Sequence, residues 1–284
     1  MTAVDLKLHV RRRPRFQVPP GACDAHCHVF GPGDVFPYAP GRRYTPDDAP
    51  KETLAALHEF LGISRAVIVQ ASCHGADNRA MLDALAHSPK TLRGVAIADG
   101  RTSSQELQLM HAAGVRGVRF NFVKHLGGAP DMDVFWSVLR KVETLGWHVV
   151  LHMDAKDIEL LTPLIRQLPV PFVIDHMGRV ESAKGTGQPP FRALLDLVRM
   201  PNCWIKVSGS ERISLPPYEA AIPFARALVE AAPDRCLWGT DFPHPNATHE
   251  ADEADLVDLI PQFAVDPVSQ QKLLVDNPAR LYEF

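Results

Sequence analysis

The sequence predicts an α/β protein, a single-domain (β/α)8 barrel of the TIM type. Three observations point to it. Short runs rich in Val, Ile and Leu alternate with longer amphipathic segments, as strands buried on both faces alternate with covering helices. The apolar runs begin roughly 20–40 residues apart, the length of a βα unit, and eight of them fill a chain of 284 residues. Residues able to do chemistry collect where the runs end, at the rim where such barrels carry their sites. A doubly wound open sheet is the competing reading. It is weakened by the lack of a GxGxxG turn or P-loop at any strand–helix junction.

In chain order, an N-terminal extension over 1–20 leads into a barrel domain over 21–284. The first strand is expected at 23–29, and the helix at 51–61 shows one apolar face in Leu54, Leu57 and Leu61. A second strand at 65–70 precedes a helix at 78–87. A third, at 92–99, precedes a helix at 105–113 for which Ser103 and Ser104 are candidate caps. Strands at 115–122, 147–153, 171–177, 203–209 and 236–241 follow, with helices expected at 133–145, 155–167, 191–199, 218–231 and 254–263 and a closing segment at 267–282. No linker, repeat or low-complexity tract interrupts them. The long loop 30–46, with Phe36, Tyr38, Arg42, Arg43 and Tyr44, reads either as a lid over the mouth or as a plain surface excursion.

Composition narrows the function. Apolar residues make up 46% and charged residues 22%, and the net charge is −3, so no basic field draws nucleic acid or anionic membrane. No apolar run approaches the ~20 residues of a membrane helix. Arg11, Arg12 and Arg13 are not followed by an apolar core, so the N-terminus does not read as a signal peptide. The run reads as a solvated tail, with a basic arm for a partner as the alternative. Five scattered cysteines are no disulfide framework and place the chain in the cytosol.

The chemistry begins at the first strand, which ends His26-Cys27-His28. Alternation puts the two imidazoles on one face. His152, His176 and Asp241 stand at the expected ends of strands five, six and eight, and Arg119 and Asn121 share a face of strand four. Three of these four imidazoles with the Asp241 carboxylate would make a set for one zinc ion with a position left for water or substrate. The same residues also serve a metal-free mechanism, and their spacing leaves both open. An arginine in a barrel mouth is costly unless paired with an anion, so Arg119 suits a substrate carboxylate or a neighbouring strand's acid. His125 and Asn246 fall on the loops after strands four and eight, where Pro243 and Pro245 stiffen the wall beside His244. His9, His58, His87, His111 and His249 read as surface or packing residues.

Together these features resemble the amidohydrolase superfamily, and within it the lactonases akin to 2-pyrone-4,6-dicarboxylate hydrolase. The matching stretches are 21–32, 69–75, 117–122, 173–179, 238–246 and 277–282. The resemblance implies hydrolysis of a small carboxylated lactone, a 2-pyrone-4,6-dicarboxylate or muconolactone-type ring, in bacterial breakdown of aromatic compounds. It implies Asp241 as general base, His26, His28 and His176 around the scissile carbonyl, Arg119 and Arg212 on substrate carboxylates, and Ser72 as a polar contact. The chain departs from the pyrone-hydrolase pattern twice, with His125 in place of an arginine and His152 in place of a tyrosine. Restoring a histidine at 152 restores the possibility of one zinc ion held by His26, His28, His152 and Asp241. A zinc decarboxylase or sugar-lactone hydrolase of the same superfamily is the alternative activity. A binding protein on a retired barrel would not be expected to keep the whole histidine–aspartate set.

Overall fold

The computed structural model describes Val10 and residues 12–284; the expectations for His9 and Arg11 lie outside the described residues. Eight strands form one parallel sheet in sequence order: β1 Cys23–Cys27, β2 Arg65–Val69, β3 Leu92–Ala96, β4 Val115–Asn121, β5 His148–His152, β6 Phe172–Ile174, β7 Cys203–Lys206 and β8 Cys236–Leu237. Backbone hydrogen bonds from Ala25 to Trp238, from Asp241 to His26 and from His28 to Phe242, all 2.8 Å, join the first strand to the last segment and close the ring.

Helices cover the outside: α1 Lys51–Leu61, α2 Arg79–His87, α3 Ser104–Ala112, α4 Met132–Glu143, α5 Ile158–Ile165, α6 Pro189–Val198, α7 Ser210–Ile213 and α8 Ile222–Ala231. Ser103 caps α3 in a reciprocal box with Glu106. The expected helix at 254–263 is two, α9 Glu253–Asp258 and α10 Ile260–Phe263, because Pro261 has no N–H to carry the ladder through. The closing segment is α11 Pro267–Gln271, a π-helical turn Lys272–Asp276 and α12 Asn277–Tyr282, with Pro278 at the second junction. No helix among the described residues is long and apolar enough to cross a membrane.

Most apolar side chains pack between strands and helices. A smaller cluster of Cys23, Ala25, Val67, Val69, Val95, Val150, Val173, Trp204 and Leu237 fills the barrel interior, with Tyr282 of α12 packed into it. All five cysteines are buried and free.

The strands end earlier than the apolar runs suggest, and side chains take over where the ladder stops. Asp24 accepts from the backbone of His26 and Thr240, both at 3.0 Å, from the Thr240 hydroxyl at 2.5 Å, and from His58 at 3.1 Å. His58, read from sequence as surface or packing, is thus a buried partner of this aspartate. The approach is close enough that a Cβ on Gly239 would meet the His26 nitrogen at 2.5 Å.

Candidate active site

One cavity opens at the C-terminal end of the strands and spans about 440 Å³ counting its open mouth. Its walls include His28, Ser72, Arg119, His125, His152, His176, Arg212, Asp241 and Asn246, nine residues singled out from the sequence. His26 is fully buried and does not line it. The loop 30–46 contributes Tyr44 to the wall, and Tyr38 of the same loop packs its ring 4.6 Å from that of His74. His74, Lys124 and His244 are not among the lining residues.

Asp241 sits at the centre. Its backbone is left-handed (φ 64°), as is that of His176 (φ 51°), so both side chains leave the alternation of the strands and swing inward. Three imidazole Nε2 atoms converge on Asp241 Oδ1: His28 at 3.3 Å, His26 at 3.6 Å and His176 at 3.8 Å. The other ring nitrogens are anchored. His28 Nδ1 is 2.7 Å from the Val69 carbonyl, which makes it the protonated nitrogen, and His176 Nδ1 is 3.1 Å from Ser208 Oγ. Gly209 leaves room for His176, since a Cβ there would meet the histidine's own Cβ at 2.8 Å.

Arg212 donates from Nε to Asp241 Oδ2, and from its Nη groups to the Pro245 carbonyl at 3.2 Å. Burial alone would raise the Asp241 carboxyl. Arg212, with His176, His28 and His26, overrides it and holds the group well below the usual carboxylate range. Burial drives His176 and His152 well below the ordinary imidazole value and His26 down to about 3, so these rings are neutral near pH 7.

Beneath the cavity lies a charged layer that the sequence reading missed. Lys206 of β7 is fully buried, its Nζ 2.9 Å from His26 Nδ1 and 3.2 Å from Asp175 Oδ1. Arg119 donates from Nε to the other oxygen of Asp175 at 3.0 Å. Neither partner foreseen for Arg119 takes Nε: the acid it meets follows β6, two strands from β4 and not a neighbour, and the described residues offer its Nη groups no hydrogen bond. Arg179, also unassigned from sequence, lines the cavity with Nε on Asp154 at 2.8 Å. A lysine in the apolar strand sequence CWIK, and Arg179 just past His176, were the available signals.

The donor geometry differs from the expected metal set. Among the described residues three groups bring their ligand atoms within 4.8 Å of one another: Asp24, Cys27 and His58; Glu211, Asp241 and His244; and, of the expected set, His26 and Asp241 joined by His176. His152 stands outside the last group, its ring 5.6 Å from that of His176 and both nitrogens without a hydrogen bond. The reason is the left-handed turn after β6, which brings His176 over Asp241 while His152 stays on the end of β5. His26 Nε2 and Asp241 Oδ1 are buried without hydrogen-bond partners, so this group fits one divalent cation.

A barrel rim with this histidine–aspartate centre defines a class, and the family comparison agrees: the amidohydrolase family model matches residues 23–284, and the chain belongs to the amidohydrolase family. Among its relatives, it is 50% identical over 282 residues to 2-pyrone-4,6-dicarboxylate hydrolase of Comamonas testosteroni, covering 95% of this chain and 92% of that one. It is 44% identical over 273 residues to 4-sulfomuconolactone hydrolase of Rhizobium radiobacter, covering 94% and 91%. Among solved structures, a probable 2-pyrone-4,6-dicarboxylic acid hydrolase of Acinetobacter baumannii, with citric acid bound, superposes with a TM-score of 0.83 at 31% identity, covering 93% and 100%.

Proposed function

We propose that the protein hydrolyses a small lactone bearing carboxylates, with 2-pyrone-4,6-dicarboxylate and muconolactone-type rings as the first candidates, in aromatic-compound breakdown. The observation that carries the reading is a buried, ionised Asp241 whose Oδ1 has no hydrogen-bond donor, in a cavity that also holds three guanidinium groups. A decarboxylase would use the same histidines, but the relatives named for lactones favour hydrolysis.

In this reading a lactone carboxylate lies against the Nη groups of Arg119, with Arg179 and Arg212 adding positive charge. Water beside Asp241 Oδ1 attacks the ring carbonyl as the carboxylate takes its proton. His28 and the neutral His176 orient the carbonyl, the acyl–oxygen bond breaks, and the proton held on Asp241 passes to the departing oxygen. Ser72, His125, His152 and Asn246 shape the rest of the pocket. A zinc ion would be held by His26, His176 and Asp241, where it would supply carbonyl polarisation or a more acidic bound water.

Two outcomes test the reading. Arg119→Met should raise KM at least about tenfold for a dicarboxylated lactone, the value of a charge-assisted pair, and leave an uncharged lactone nearly unchanged. Equal losses on both would make Arg119 structural. Elemental analysis should find about one zinc per chain, reduced by His176→Ala and kept by His152→Tyr. Full activity with no metal after exhaustive chelation would remove zinc from the account.

A further inference from the structure

His244 belongs to a second buried cluster. Glu211 of α7 and Glu253, the first residue of α9, are 2% and 1% exposed, and none of their four carboxylate oxygens has a hydrogen-bond partner. The His244 ring lies between them, with Nδ1 3.5 Å from Glu211 Oε1 and Nε2 3.3 Å from Glu253 Oε1. Glu211, His244 and Asp241 bring one ligand atom each within 4.8 Å of one another, but Glu253, at the opposite ring nitrogen, lies outside that set. Neither nitrogen reaches hydrogen-bond geometry, and only an imidazolium presents an N–H to both carboxylates. On its far side Glu211 Oε1 is 3.6 Å from Arg212 Nε, and Arg212 in turn donates to Asp241. His244 also donates its backbone N–H to the Asp241 carbonyl at 2.7 Å.

We propose that Glu253, His244, Glu211, Arg212 and Asp241 form one chain of alternating charge, in which His244 and Glu211 are positioning residues that hold the guanidinium on the Asp241 carboxylate. The proposal rests on the reading of Asp241 as the base. In a buried setting each charge needs its neighbour of opposite sign. With His244 neutralised, Glu211 and Glu253 face each other uncompensated, and Glu211 competes with Asp241 for Arg212. With Glu211 neutralised as well, Arg212 returns to Asp241 alone. The positioning role therefore predicts that a second substitution rescues the first.

The test uses the full chain as wild type, His244→Gln and the double variant Glu211→Gln/His244→Gln. By isotope-labelled NMR near neutral pH, wild-type His244 should carry protons on both ring nitrogens. The Arg212 Nε–H resonance should move in His244→Gln and return in the double variant. With 2-pyrone-4,6-dicarboxylate, kcat should fall about 10–100-fold in the single variant, the scale of a misplaced catalytic group, and recover to within about fivefold in the double. A neutral His244 ring, an unmoved Arg212 resonance, or a double variant no better than the single would overturn the chain. So would a lower melting temperature with unchanged kcat, the mark of a packing role alone. If His244→Gln does not fold, the double variant should fold, and its failure to do so is contrary evidence. If wild type does not turn the lactone over, the hydrolase reading fails, and the NMR result still decides the charge chain.

Discussion

Asp241→Asn should lower kcat/KM by about 10²–10⁴-fold, the usual contribution of a general base, while the circular dichroism stays close to wild type. The amide keeps the shape of the carboxylate, and its oxygen still accepts from Arg212 Nε. What it loses is the ability to take a proton from water. The backbone of residue 241 is held independently, by its N–H on His26 and its carbonyl on His244, so the fold should persist although losing the charge that faces Arg212 lowers its stability. A variant that keeps more than about a tenth of the activity would remove Asp241 from the role of base, whatever else it contacts.

The largest effect on stability is expected at Lys206→Met. The ammonium is fully buried between Asp175 and His26, and nothing in water replaces it when it is removed. Breaking one partner out of a buried pair costs about 3–5 kcal/mol, and Arg119 still faces Asp175, so the lower end applies. For a chain of this size that is a fall of roughly 5–10 °C in Tm. The pH dependence should change in a defined direction. Burial alone would raise the Asp175 carboxyl, but Lys206, His26 and Arg119 hold it well below the usual range. Its contribution to stability is therefore complete above the unfolded value near ~3.9 and is lost as pH falls from there through the folded value. Without Lys206 that depression shrinks, so acid unfolding should begin at a higher pH in the variant. A Tm within about 1 °C of wild type would mean that the buried ammonium balances nothing.

Much of the barrel was legible because two periodicities carry it. Helix α1 falls on the expected Lys51–Leu61, and all eight strands start within one residue of the apolar runs that predict them. The strand ends were less legible. β8 is only Cys236–Leu237, and the residues after it are held by the Asp24 side chain together with single backbone bonds to the first strand, which hydrophobicity does not register. The same limit shaped the site. Nine of the singled-out residues line one cavity, because proximity to a strand end is enough to place a residue at the rim. Which atoms converge there depends on backbone turns beyond the strands, as at His176 and Asp241 with their positive φ, and alternation says nothing about these. The ionic partners Lys206, Glu211 and Glu253 were missed for another reason. Each is a charged residue among ordinary neighbours, and only the fold shows that it is buried.

The central claim is that water, with Asp241 as its base, opens a carboxylated lactone. The most direct measurement is mass spectrometry of the product formed from 2-pyrone-4,6-dicarboxylate, and separately from a muconolactone, in water enriched in heavy oxygen. The account predicts a ring-opened acid carrying a single heavy oxygen atom, in the carboxylate derived from the lactone carbonyl, with no carbon dioxide released. A product of unchanged mass, the sign of isomerisation, or one that has lost carbon dioxide would contradict it.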